Sequence, residues 1–319
     1  MNKIIWLFII VMQLNVMARA AECAYSENEK NVVFYGHSFL SNQAFANKVG
    51  DLLCAKVYNF ARGGSSSDEV AFAAGAIPVS FYPVGGVIPE SGSVELLSAR
   101  SRALNMWDGA YAFVDYAGIP GTIGVIKSGG ALKTYFKRKY DGNSVTVKTP
   151  RRAIVLPITR SKTSSISREV YYHKSEGISV LWVGRNSDIK NKDAIVADLD
   201  RVISTIRSSR FLIMPEFPYS NEAIGTEARN NLDSLNSAIK ARYPNNYCEI
   251  GGVDALQNFM NHYNPENEQD VNDLSAGVTP TSLRMDRLHP SDTKMKNALY
   301  VGTDVNAEFV ARFVKIKGW

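Results

Sequence analysis

The chain has 319 residues, of which 45% are hydrophobic, and it carries a formal net charge of +5. With no low-complexity tract, this composition predicts a packed globular core. The positive charge is too small to indicate nucleic acid as a partner.

The N-terminus has the pattern of a secretory signal peptide. Lys3 precedes an apolar run over residues 4–11, and the small residues Ala18 and Ala20 flank Arg19. This pattern predicts a signal peptide over residues 1–20 that is cleaved after Ala20. The apolar run is shorter than the roughly 20 residues needed to span a bilayer, so no stable membrane span is expected after cleavage. We therefore expect a secreted or periplasmic bacterial protein.

The three cysteines, Cys23, Cys54 and Cys248, lie far apart in the chain. None of their spacings is typical of a zinc or redox motif, and no metal site is expected. An oxidising destination predicts one disulfide and one free thiol. We expect Cys23, near the mature terminus, to be one member of the disulfide, with Cys54 or Cys248 as its partner.

Strand and helix patterns alternate in two separated parts of the chain. Alternation of this kind predicts a parallel sheet with helices on both faces. The core domain is therefore discontinuous, over residues 21–75 and 175–319. Its predicted strands are residues 31–35, 56–60, 178–183, 211–214 and 247–253, and its predicted helices are 42–55, 192–207 and 222–242. A polar, turn-rich stretch at 261–285 precedes a last helical region that ends near residue 315.

Residues 76–174 follow a different pattern, with short alternating segments between Gly, Pro and Asp-Gly turns. We interpret them as an inserted all-β module, the alternative being a long elaboration of one loop. Asp141-Gly142 predicts a hairpin between residues 132–140 and 144–149. The module's aromatic side chains are candidates for sugar stacking or for its own core, about half for each: Trp107, Tyr111, Phe113, Tyr116, Tyr135 and Phe136.

Ser38 follows the first predicted strand and precedes a helix, which places its hydroxyl at the carboxyl edge of the sheet, where ligands bind. A serine needs a base to become nucleophilic, and imidazole is the usual one. Of the four histidines, His289 alone has an aspartate, Asp286, three residues before it. Asp286 is therefore expected to orient His289. The others are His37 beside the serine, His173 at the module boundary and His262 in a polar stretch.

Donors for a developing oxyanion are also available at strand ends. Gly63 and Gly64 follow the second strand, where the missing Cβ allows the backbone to approach a ligand closely. Asn186 follows the third strand, and its side-chain amide is expected to face the same edge. Each of these features alone is also compatible with an ordinary turn.

Taken together, these motifs resemble, in order and context, the four sequence blocks of the SGNH (GDSL-like) hydrolase family. The resemblance covers about residues 31–75 and 178–315. It departs from the family pattern at His37, where an aspartate is usual, and at Ala61, where a glycine is usual. The blocks are Gly36-x-Ser38, residues 59–64, Gly184-x-Asn186 and Asp286-x-x-His289.

The resemblance implies a flavodoxin-like three-layer α/β/α core and ester hydrolysis without metal or cofactor. It implies Ser38 as nucleophile, His289 as base and Asp286 as its partner. The backbone N–H groups of Ser38 and Gly64 and the Asn186 side chain would form the oxyanion hole. Asp188, close to this turn, is interpreted as a helix cap.

The function expected from these features is hydrolysis of short acyl esters, above all O-acetyl esters. The substrate would be an acylated small molecule or a carbohydrate such as a cell-envelope polysaccharide. Two alternatives remain open. One is a polysaccharide O-acetyltransferase that uses the same triad, and the other is a non-catalytic glycan-binding protein on the same scaffold.

Overall fold

The computed structural model describes residues 30–98, 109–156, 158–161, 168–171, 177–206 and 208–319. The predicted signal peptide over residues 1–20, together with Cys23, Trp107 and His173, lies outside the described residues. Those described form a mixed α/β core and a separate β-barrel.

The elements are numbered in chain order. The strands are β1 (Lys30–Gly36), β2 (Ala55–Asn59), β3 (Val79–Pro83), β4 (Val87–Ile88), β5 (Ser93–Ser98), β6 (Gly109–Tyr116), β7 (Ile119–Ser128), β8 (Ala131–Arg138), β9 (Val145–Thr146), β10 (Arg151–Val155), β11 (Ile158–Ser161), β12 (Arg168–Tyr171), β13 (Ile178–Trp182), β14 (Phe211–Ile213), β15 (Glu249–Ile250) and β16 (Val253–Asp254). The helices are α1 (Ser38–Ser41), α2 (Gln43–Leu53), α3 (Ser67–Ala73), α4 (Lys192–Thr205), α5 (Glu227–Arg242), α6 (Ala255–Met260), α7 (Glu268–Ser275) and α8 (Gly302–Ile316).

The core is built on a four-stranded parallel sheet with the strand order β14-β13-β1-β2. Along β1, Val32 and Phe34 pack with α2, α6 and α8, whereas Val33 and Tyr35 pack with α3, α4 and α5. Because successive side chains point to opposite faces, a strand that is apolar at every position is buried on both. The predicted parallel sheet with helices on both faces is confirmed.

Three predictions about this core are corrected. In place of a strand at residues 247–253, Tyr247 makes a single parallel bridge to Ile213. A two-strand hairpin, β15 and β16, then turns at Gly251 and Gly252, whose φ angles of 60° and 84° favour glycine. Helix α5 begins at residue 227, later than predicted, because Thr226 caps it by accepting from the backbone N–H of Arg229.

The third correction concerns the polar stretch at 261–285, which was predicted to be turns. It contains helix α7, which is capped by the side chain of Asn267. A short polar helix lacks the apolar periodicity by which sequence patterns reveal helices.

Within the insertion, six strands close into a barrel with the order β10-β3-β5-β8-β7-β6. Its core contains the fully buried side chains of Phe81, Tyr116 and Phe136. The prediction of a β-rich module is confirmed, and Tyr116 and Phe136 are among its core residues. The sheet closes on itself, so these side chains fill the interior of a barrel.

The predicted hairpin across Asp141-Gly142 is wrong. Strand β8 pairs with β5 and β7, so both of its edges are occupied, and β9 pairs with β4 instead. The loop after β8 is held by the Arg138 guanidinium, which donates to the carbonyl oxygens of Pro89, Tyr140, Gly142 and Asn143.

The barrel is joined to the core at neighbouring positions. Val79 on β3 pairs with Ala153 on β10, so the chain leaves the core and returns to it through adjacent strands. Phe72 of α3 is buried in the barrel core, and β11 lies against β2. Helix α3 therefore belongs to the α/β core by one face and to the barrel by another.

Cys54 is disulfide-bonded, and its partner lies outside the described residues. Cys248 is free and buried, and this burial raises the pKa of its thiol. The prediction of a disulfide with a spare thiol is confirmed for these two residues. In the part of the chain that the structure describes, no helix is long and apolar enough to cross a membrane.

Candidate active site

The turn after β1 presents Ser38 at the carboxyl edge of the sheet. Ser38 is the first residue of α1, and His37 is the N-cap residue of this helix. At Gly36 an added Cβ would lie 2.3 Å from the carbonyl oxygen of Trp182 on β13, so only glycine fits there. The close approach of β1 and β13 at Gly36 therefore fixes the position of the turn that carries Ser38.

Ser38, His289 and Asp286 form a continuous hydrogen-bonded chain. His289 Nε2 lies 2.8 Å from Ser38 Oγ, and His289 Nδ1 lies 2.7 Å from Asp286 Oδ2. A carboxylate can only accept, so Nδ1 carries the proton and Nε2 is left to accept from the Ser38 hydroxyl. The structure brings together the three residues that the sequence predicted as a triad, although Ser38 and His289 are 251 positions apart.

Asp286 is fixed by its own loop. Its Oδ1 accepts from the backbone N–H groups of Leu288 and His289, each at 2.8 Å. Burial raises the pKa of the Asp286 carboxyl, but the hydrogen bonds from His289 and Leu288 outweigh that effect, so the pKa is lowered overall. The carboxyl is therefore ionised at neutral pH, as an orienting partner of His289 must be.

Two buried carboxylates of α7 support this loop from behind. Asp273 accepts from the Arg284 guanidinium at 2.9 Å, and Asp270 accepts from the backbone N–H and hydroxyl of Ser282. These contacts hold the segment that leads into Asp286. These contacts were not predictable from the sequence, in which the residues of α7 form only a polar stretch.

The loops after β2 and β13 are joined beside Ser38. Asn186 donates from Nδ2 to the carbonyl oxygen of Ser65 at 3.2 Å, and Ser187 Oγ accepts from the backbone N–H of Ser67 at 2.8 Å. Gly64 adopts a φ of 76°, which favours glycine. The structure thus brings Asn186 to the glycine loop that was predicted to share its role.

That glycine loop also lies beside the serine. A Cβ added at Gly63 would lie 3.9 Å from the Ser38 Cβ. Neither the Ser38 nor the Gly64 backbone N–H has a hydrogen-bond partner among the described residues. Both donors are available to an acceptor beside Ser38. Asp188 caps the 3-10 turn at Ile189–Asn191, as predicted.

The remaining histidines have other surroundings. His262 Nδ1 contacts the carbonyl oxygen of Asn258, and its ring packs edge-on against Tyr300. His37 is fully buried, and its Nε2 contacts both carboxylate oxygens of Glu216, at 3.2 and 3.0 Å. The role of Glu216 was not predictable from the sequence, because no local pattern marks its distant partner.

Among the described residues, no group of three or more His, Cys, Asp or Glu side chains is placed to hold a metal ion. The arrangement at the sheet edge is suited to proton transfer from Ser38 to His289. Beside it lie hydrogen-bond donors of the kind that stabilise an oxyanion.

Comparison with known proteins finds a relative by sequence and distant likenesses among solved structures. No protein family model matches the chain. It is 41% identical over 295 residues to the tail spike protein of Salmonella phage epsilon15, a match that covers 91% of this chain and 27% of that protein. The chain thus spans about a quarter of the length of this relative. A solved structure titled as a peptidoglycan O-acetylesterase in action matches with a TM-score of 0.38 and 11% identity, over 94% of this chain and 95% of that one. A TM-score this low does not establish a shared fold.

Proposed function

We propose that this chain is a serine esterase that removes short acyl groups, principally acetyl, from carbohydrate hydroxyls. The observation that carries the proposal is the hydrogen-bonded chain from Asp286 through His289 to Ser38. It lies at the carboxyl edge of a parallel sheet, where open α/β folds bind ligands. The sequence resemblance to the SGNH hydrolases leads to the same activity.

The reaction begins with acyl transfer to Ser38. His289 Nε2 takes the hydroxyl proton as Ser38 Oγ bonds to the ester carbonyl carbon, and Asp286 stabilises the imidazolium that forms. The backbone N–H groups of Ser38 and Gly64 and the Asn186 amide donate to the tetrahedral oxyanion. The carbon–oxygen bond to the sugar then breaks, and His289 returns its proton to the leaving alkoxide.

Hydrolysis of the acyl-enzyme completes the cycle. Water bonds to the acyl carbon as His289 takes one of its protons, and the bond to Ser38 Oγ breaks. His289 gives the proton back to Ser38, and the carboxylic acid leaves. If a sugar hydroxyl replaced the water, the same steps would transfer the acyl group to a polysaccharide.

A polysaccharide is the proposed carrier of the ester. The 41% identity to a phage tail spike protein supports this choice. The match covers only 27% of that longer protein, so the proposed activity rests on the residues of this chain.

The test compares the wild-type chain with Ser38→Ala and His289→Ala. Acetate release is measured from p-nitrophenyl acetate and from a panel of O-acetylated polysaccharides, with and without a glycan acceptor. We expect either substitution to lower kcat at least about 1,000-fold while the circular dichroism spectrum is unchanged. Ser204→Ala is the matched control, since its hydroxyl is exposed and donates to the carbonyl oxygen of Arg201.

Two outcomes would contradict the proposal. One is a folded Ser38→Ala variant that keeps more than a few per cent of the activity, which removes Ser38 as nucleophile. The other is a wild-type chain that binds glycans but releases no acetate from any ester, which would favour a binding protein. Acetyl transfer that exceeds hydrolysis when acceptor is present would identify a transferase.

A further inference from the structure

A second pair of side chains lies beneath the nucleophile. His37 and Glu216 are both fully buried, and Nε2 of His37 lies 3.0 and 3.2 Å from the two carboxylate oxygens. The two residues are 179 positions apart. Their contact joins the turn after β1 to the loop after β14.

Glu216 is itself held on the core. Its backbone N–H donates to Asn236 Oδ1 at 2.8 Å, and its carbonyl oxygen accepts from Asn236 Nδ2 at 2.9 Å. Asn236 lies on α5, which packs on the sheet. The carboxylate that faces His37 is therefore anchored at a fixed place.

His37 connects to both reacting side chains. It is bonded directly to Ser38, and its carbonyl oxygen accepts from the backbone N–H groups of Leu40 and Ser41, so it forms the base of the α1 turn. The ring of Phe39 packs edge-on against His37 at 5.0 Å between centroids and against His289 at 5.4 Å. A shift of the His37 ring would move Ser38 through the chain and His289 through Phe39.

We propose that His37 and Glu216 are positioning residues that hold Ser38 and His289 at their reacting separation. The inference rests on the proposed function and adds a part to it. A misplacement of about 1 Å costs on the order of 100-fold in rate. The pair does not touch the reacting atoms, since both side chains are buried beneath the turn. Its contribution is to kcat and not to substrate affinity.

Replacing both partners with apolar side chains distinguishes a pair that only stabilises the fold from a pair that positions the reacting residues. Removing one partner of a buried pair destabilises a protein, whereas replacing both by apolar groups of similar size is often neutral. The variants are Glu216→Leu, Glu216→Gln and the double variant His37→Phe/Glu216→Leu. The measurements are Tm, kcat and KM on p-nitrophenyl acetate.

We expect Glu216→Leu to lower both Tm and kcat. The double variant should regain the wild-type Tm to within a few degrees, yet keep a kcat about tenfold or more below wild type with KM within about twofold. Glu216→Gln should retain kcat within about threefold, because its amide oxygen accepts the same bond from His37. A stable double variant with wild-type kcat would overturn the proposal, as would a change confined to KM.

A second measurement distinguishes failure of this proposal from failure of the proposed function. A serine-directed fluorophosphonate is reacted with each variant, and the labelled peptide is identified by mass spectrometry. No labelling of Ser38 in the wild-type chain would refute the nucleophile itself. Labelling of Ser38 at equal rates in wild type and double variant would refute positioning alone. If the double variant does not fold, equal labelling rates in folded Glu216→Gln and Glu216→Met decide against the proposal.

Discussion

The α/β core and the barrel use buried polar groups in opposite ways. Among the described residues, every buried charged side chain lies in the core, as with Glu216, Arg284 and Asp273. Among the barrel residues whose side chains are described, the buried ones are apolar apart from the Tyr116 hydroxyl, which donates to the carbonyl oxygen of Phe81 at 2.8 Å. Burial raises the pKa of Tyr116 to about 12, so this hydroxyl stays protonated and keeps that bond.

The difference follows from the fact that the core sheet is open and the barrel sheet is closed. The strands of the open parallel sheet stop at one edge, and the loops that follow must be held by side-chain bonds if they are to form a site. A closed barrel pairs all its strands, so its interior only has to be filled. Buried polar groups are kept where orientation matters, which is the edge that carries Ser38.

Among the tests of this difference between core and barrel, we expect the largest effect from a substitution of Asn186. If the loops of the core edge form an oxyanion hole, Asn186→Ala should lower kcat on p-nitrophenyl acetate about 100-fold, the usual cost of losing one such donor. Asp188→Ala is the control two residues away, since it removes only the cap of a short turn. Steady-state kinetics measure both variants, and equal activities would remove Asn186 from the site.

Replacing the barrel should produce a smaller and more selective loss. Residues 78–156 are exchanged for a short glycine-rich linker, and Phe72→Ser is added because the side chain of Phe72 would lose its cover. We expect activity on p-nitrophenyl acetate to remain, and activity on an acetylated polysaccharide to fall about tenfold or more, because remote contacts orient large substrates.

A single cooperative thermal transition must first show that the shortened protein is folded, and Phe72→Ser in the full chain is its control. Equal loss on both substrates would contradict a division of labour between the two regions. Unchanged activity on both would show that the barrel serves something other than substrate capture.

The smallest expected effect concerns pH and the Asp286 loop. Since the pKa of Asp286 is lowered by folding, its contribution to stability is present above the unfolded value of about 3.9 and is lost as pH falls through the lower folded pKa. The difference in Tm between wild type and Asp286→Ala should therefore be present at pH 7 and shrink below about pH 4. A difference in Tm that stayed constant down to pH 2 would contradict it. Phe136→Ala, in the barrel core, should show no such dependence.

The sequence predicts best what local patterns encode. The apolar runs of β1 and β13 were sufficient to predict the parallel sheet, and the motifs around Ser38 and His289 were sufficient to predict that these two residues meet at its edge. Closure of the barrel was not predictable, because pairing of β10 with β3 depends on residues some 70 positions apart. The His37–Glu216 pair escaped for the same reason, since a lone buried glutamate has no signature in sequence.

The adjacency of Val79 and Ala153 affects how this protein can change over time. The two ends of the barrel lie one cross-strand spacing apart, about 5 Å. The barrel therefore connects the two parts of the core across the same distance as a very short loop would. Exchanging the barrel for another module would leave that spacing unchanged, provided that the new module also covers Phe72 of α3. A protein with such a junction can acquire a new surface for recognition in a single recombination event while its chemistry is inherited intact.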